Sequence, residues 1–93
     1  MAEELVALEG DKIDDHKEGA FKTPAKTSVK IANKPVIVKD DEAYPDNAGH
    51  TDTQAEEGSG TVFAYNKKLH RNNDKRHCGG KTKAEGQTTV KAG

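Results

Sequence analysis

The side chains able to hold a soft or borderline metal are few and unevenly placed. The chain of 93 residues has one cysteine and four histidines, and three of these five, His70, His77 and Cys78, crowd into one short stretch. His16 and His50 stand apart in polar segments. Imidazole nitrogen and thiolate sulfur together make an ordinary tetrahedral zinc set. A set of three histidines and Cys78 drawn from separate stretches would tie distant loops and couple metal binding to folding. Zinc is the expected ion, with iron as the less favoured alternative. Asp14, Asp15 and His16 resemble a catalytic cluster, but four protein ligands close a zinc ion to water and so small a chain leaves little room for a substrate cleft. The expectation is a protein that is not an enzyme.

What must position these groups is an internal repeat. SVKIANKPVIVKDD, residues 28–41, lies over TVFAYNKKLHRNND, residues 61–74, without gaps at an offset of 33. Val29 falls on Val62, Asn33 on Asn66, Lys34 on Lys67 and Asp41 on Asp74. A third copy is split between the chain ends. EGSGTV, residues 57–62, recurs as EGQTTV, residues 85–90, while LVALEGD, residues 5–11, corresponds to VIVKDD and LHRNND. Each copy reads as a strand, a tight turn at Asn33-Lys34 or its equivalent, a second strand ending in Asp, and a loop. Val29 and Ile31 alternate with Lys30, and Val36-Ile37-Val38 is a β-branched run. Pro24, Pro35 and the Gly-rich stretches oppose long helices; only AEELVAL has any helical character. Val29 and Val62 read as core.

The loops after the three aspartates carry the ligands. His16 follows Asp11 by five residues, His50 follows Asp41 by nine and Cys78 follows Asp74 by four. Pseudo-threefold copies can gather such loops at one end of a fold. The fourth ligand is His70 or His77. His70 sits on a strand where the backbone can fix it and is preferred. His77 adjoins Cys78, and neighbouring side chains of an extended chain point to opposite faces.

Composition bounds the rest. Hydrophobic residues make up 31% of the chain, there is no Trp, and the mean hydropathy is −0.98. A core this small ordinarily needs a disulfide, a metal or a partner, and one cysteine cannot close an internal disulfide. The apolar runs are too short to span a membrane, and MAEELVALEGD lacks the basic start and hydrophobic run of a signal peptide. The expectation is a single domain over 1–93, made in the cytoplasm. A net charge of −1 gives no general attraction to nucleic acid. The basic stretch KKLHRNNDKRHCGGKTK nevertheless makes a small zinc module that binds nucleic acid the alternative.

The order of these motifs resembles that of PAAR-repeat proteins. It runs EGDKIDDH, KTSVKIANKPVIVKDD, EGSGTVFAYNKKLHRNND and HCGGKTKAEGQTTV, covering roughly Leu5 to Gly93. The name-giving tetrapeptide is degenerate, as Pro35-Val36-Ile37-Val38 and Lys68-Leu69-His70-Arg71, and the Gly before Asp survives only at Gly10. The resemblance implies an all-β, small conical fold of three pseudo-repeated hairpins, stapled by zinc near the vertex. It implies metal ligands His16, His50 and Cys78 by motif, with His70 added from family members of the H-R-x-G-D type. It further implies one copy per trimer on the blunt end of a trimeric β-helical spike, seated on a base for which Ile31, Phe63 and Tyr65 are the candidate residues. That spike tip would belong to the tail baseplate of a bacteriophage virion, to type VI secretion or to another contractile injection system, meet the target membrane transiently and bind no nucleic acid.

Overall fold

The computed structural model describes residues 3–13, 19–45 and 53–93. These form an all-β structure with no helix among them, built of strands only two residues long. Strand β3 (Lys30–Ile31) pairs antiparallel with β4 (Lys34–Pro35), and β5 (Phe63–Ala64) with β6 (Lys67–Lys68). The offset of 33 in the sequence thus maps one hairpin onto the next, strand for strand. The third hairpin is made from the chain ends: β1 (Glu4–Leu5) pairs with β8 (Lys91–Ala92). A further pair joins β2 (Lys12–Ile13) to β7 (Thr82–Lys83).

Each hairpin feeds an extended tripeptide into the centre: Val6-Ala7-Leu8, Val36-Ile37-Val38 and Leu69-His70-Arg71. These close on one another through the bridges Val6 to Arg71, Leu8 to Val36 and Val38 to Leu69. The Ala7 N–H donates to the His70 carbonyl at 3.0 Å, the His70 N–H to Ile37 at 2.8 Å, and the Ile37 N–H to Ala7 at 3.0 Å. The result is a closed triangle of strands with pseudo-threefold symmetry and no open edge at its middle.

Side chains of an extended chain alternate, so the triangle has two faces. Val6, Leu8, Val36, Val38 and Leu69 point to the hairpin side and cluster with Ala92. Ala7 and Ile37 point the other way and cluster with Phe21, Ala43 and Ala55. Leu8 and Ile37 are fully buried, each worth roughly 1.5–3 kcal/mol of transfer free energy. Strands of two residues cannot stand alone; the triangle is what holds them.

The three aspartates end the strands in one way. Oδ2 of Asp11, Asp41 and Asp74 accepts the backbone N–H of Leu8, Val38 and Arg71, each at 2.8 Å. The residue before each is left-handed, with φ of 91° at Gly10, 73° at Asp40 and 69° at Asn73. Glycine, aspartate and asparagine tolerate that region better than other residues, which is why the Gly of the GD motif is dispensable in two copies. Beyond these turns Phe21, Ala55 and Thr82 form a second layer. Their N–H groups donate to Asp11, Asp41 and Asp74, each at 3.1 Å.

Three sequence expectations are corrected. The turns centre one residue earlier than Asn33-Lys34, on Ala32-Asn33 and Tyr65-Asn66, all with φ between 53° and 66°. Two successive positive φ values give the primed turn that matches strand twist. AEELVAL is not helical over its described residues, because β1 and the triangle claim it. Val29 and Val62 are not core. They are 43% and 39% exposed, while Ile31 and Tyr65 pack against the first cluster. The expected base residue Phe63 is 54% exposed.

Candidate functional site

On the side of the triangle away from the hairpins, one copy departs from the other two. His70 occupies the position of Ala7 and Ile37. Arg76, two residues past Asp74, occupies that of Ile13 and Ala43. Thr82 occupies that of Phe21 and Ala55. All three polar side chains are fully buried, and they bond to one another. A buried polar group without a partner is costly, and mutual satisfaction removes that cost.

Geometry settles the proton positions. His70 Nδ1 lies 2.6 Å from the Glu57 carbonyl oxygen, which can only accept, so Nδ1 carries the hydrogen. Burial pushes the His70 imidazole down to about 4, so it is neutral at pH 7 and its Nε2 is an acceptor. The Thr82 hydroxyl, 2.7 Å away, therefore donates to Nε2. The same hydroxyl accepts from Arg76 Nε at 2.9 Å. Arg76 Nη2 donates to the Asp11 carbonyl at 3.1 Å, and Nη1 to the Gly19 carbonyl. The guanidinium lies over the Phe21 ring, 3.9 Å from its centroid, and Phe21 meets His70 edge to face at 5.4 Å. A continuous polar chain thus runs from the backbone of Glu57 to the residues on either side of the segment that carries His16.

Of the expected ligands, His16 and His50 lie outside the described residues. His70 is at the centre of the molecule, with Nδ1 and Nε2 both engaged by protein groups; a metal at Nε2 would displace the Thr82 hydroxyl. Cys78 is half-buried in a tight turn closed by the Gly79 N–H on the Arg76 carbonyl at 2.9 Å. A methyl group on Gly80 would meet Cys78 Sγ at 3.5 Å and Ile13 Cγ2 at 2.9 Å, so the thiol and Ile13 border the same glycine. His77 is exposed, with Nε2 3.4 Å from Asp40 Oδ1. Among the described residues no group of three or more His, Cys, Asp or Glu side chains is arranged to hold a metal ion. Arg76 and Thr82 escaped the sequence reading. Extending the repeat alignment past Asp74 would have set Arg76 against Ile13 and Ala43 and exposed it as a buried cation.

No family model matches the sequence, and no curated protein matches it either.

Proposed function

We propose that this chain is a non-enzymatic spike tip of the PAAR-repeat type. One copy caps a trimeric β-helical spike and sharpens it for membrane piercing by a phage tail or another contractile injection machine. The observation that carries this reading is the pseudo-threefold triangle of strands with three equivalent hairpins on one side. A single chain with this symmetry can seat on a true trimer with each hairpin facing one protomer.

The proposed zinc belongs at the opposite end. The segments carrying His16, His50 and Cys78 each follow an equivalent position paired with the second layer, Ile13, Ala43 and Arg76. Residue types fit the ion, and a bound zinc would supply a cross-link among three separate segments of the chain. The engagement of both ring nitrogens of His70 favours His77 as the fourth ligand. His70 then braces the interior.

Metal content by mass spectrometry, with circular dichroism before and after chelation, tests the staple. About one zinc per chain is expected, lost in His16→Ala, His50→Ala, His77→Ala and Cys78→Ala and kept in a folded His70→Gln. Absence of metal with an unchanged spectrum overturns the staple. Light scattering of the mixture with a recombinant spike trimer tests the cap. One chain per trimer is expected, and failure to associate overturns the tip assignment.

A further inference from the structure

The charges of the described residues are unevenly placed. The three hairpins and their flanks, residues 3–5, 26–35, 61–68 and 88–93, contain six lysines and two glutamates. They are therefore four charges positive, whereas the other described residues, with eight basic and nine acidic side chains, are one charge negative. Lys26, Lys30, Lys34, Lys67, Lys68 and Lys91 are all exposed, and none of them forms an ion pair among the described residues. Lys26 is held at the β5–β6 turn, its Nζ 5.5 Å from the centre of the Tyr65 ring.

The same side carries most of the exposed apolar surface. Val29, Val62 and Val90 occupy equivalent positions in the three copies and are 43%, 39% and 42% exposed. Their carbonyls accept the N–H groups of Val36, Leu69 and Val6 at 3.0, 3.1 and 3.0 Å. Such agreement between copies of unlike sequence marks a feature of the whole face. Phe63 adds a large exposed ring beside Val62. A depression of about 110 Å³ between Lys26, Tyr65, Lys67, Val38 and Asp41 opens on the same side, large enough for one partner side chain.

We propose that the hairpin face recognises an acidic threefold surface: the blunt end of a homotrimeric β-structured protein, apolar at its centre and rimmed with carboxylates. This rests on the spike-tip reading and adds the chemistry of the partner. A homotrimer presents each carboxylate three times. The lysines answer unevenly, because the position filled by Lys34 and Lys67 is Glu4 in the third copy. Two of three contacts are attractive and one repulsive. Exposed valines contribute contact area. Complementary charges at the rim speed encounter, raise affinity through that faster association in a salt-dependent way, and set the choice of partner. They do not distinguish the three rotational settings of the tip on a symmetric trimer, since those settings are identical.

The test is the affinity of the chain for the recombinant trimer of the β-helical spike protein encoded in the same genome. Titrations are run at about 50 mM and about 300 mM NaCl, where screening lengths differ more than twofold. The expected result is roughly tenfold weaker binding at the higher salt. Lys34→Glu with Lys67→Glu should weaken it at least about tenfold at low salt, and Lys83→Glu, off this face, should leave it unchanged. Thermal melts confirm that the variants fold. Tight binding that ignores both salt and the Lys34/Lys67 reversal overturns the acidic surface and leaves the spike-tip reading standing. No binding of the unaltered chain at either salt overturns both. Binding to a duplex DNA 20-mer, or to vesicles of phosphatidylcholine with phosphatidylserine, that exceeds binding to the trimer and is lost on charge reversal overturns the proposal in favour of a phosphate surface.

Discussion

His70 is the one polar side chain among the three central positions of the triangle, and it is fully buried. It replaces Ala7 and Ile37 at the pseudo-threefold axis, and its ring is satisfied by Glu57 and Thr82. Burial holds it neutral, at about 4, whereas a histidine of the unfolded chain titrates near 6.5. As pH falls, the unfolded state takes up the proton first. This group has no effect on stability above about pH 6.5, lowers it between about 6.5 and about 4, and adds no further loss below that. The full effect is on the order of 3 kcal/mol. Burial raises Asp11 and Asp41 above the usual carboxylate range, so these two favour the folded state as they protonate and oppose the His70 slope at the acid end. Urea midpoints of the metal-free protein at pH 7.5 and 5.5 should therefore fall for the parent chain. They should stay nearly level for folded His70→Gln. Parallel slopes in the two proteins would assign the acid sensitivity to other groups.

At the scale of the hairpin, conformation and sequence disagree at one position. Ala32 and Asn33 have φ of 53° and 66°, and the first central residue of such a turn is usually Asn, Asp or Gly. An alanine there carries about 1 kcal/mol of local strain. Ala32 is exposed, so changing it removes no buried contact. Tyr65, the equivalent residue, is compensated: its hydroxyl accepts the Val29 N–H at 2.8 Å and lies 3.2 Å from Ser28 Oγ. Ala32→Asn should raise stability by about 0.5–1 kcal/mol, or a few degrees in melting temperature. Tyr65→Asn should lower both. A melt of each variant checks the pair, and a drop in Ala32→Asn would show that the turn is not strained.

For the molecule as a whole, closure depends on its two ends. Lys91–Ala92 supplies the strand that Glu4–Leu5 needs, Ala92 is 2% exposed in the first cluster, and the Gly93 carbonyl accepts from Ser59 and Thr61. Removing residues 91–93 leaves β1 unpaired and opens one side of the triangle. The cost should be several kcal/mol, enough to abolish cooperative unfolding in so small a core. Joining the ends through a short turn and opening the chain between Ala32 and Asn33 should instead preserve the fold, because it moves the break from one equivalent hairpin to another. Near-identical spectra of the rearranged and parent chains are expected; a disordered rearrangement would mean that the copies are not interchangeable.

The sequence by itself determined the β class, the offset of 33 between copies, the split third copy and the three strand-ending aspartates. These are matters of alternation, turn chemistry and spacing, visible in short stretches and in the comparison of one stretch with another. The hairpin register was nearly legible, displaced by one residue because the strain at Ala32 is invisible to composition. What only the tertiary structure decided was which residues share a centre. Val29 and Val62 have the chemistry of core, but each pairs by its backbone with the first residue of a central tripeptide and leaves its side chain exposed. His70 has the chemistry of a metal ligand, yet the closing of three strands puts it on the axis beside Thr82, twelve residues further along the chain. Arg76 reads as a surface cation until the second layer brings it over Phe21 and between Asp11 and Gly19. Burial and partnership at an axis depend on all three copies together, and a single stretch of sequence contains only one of them.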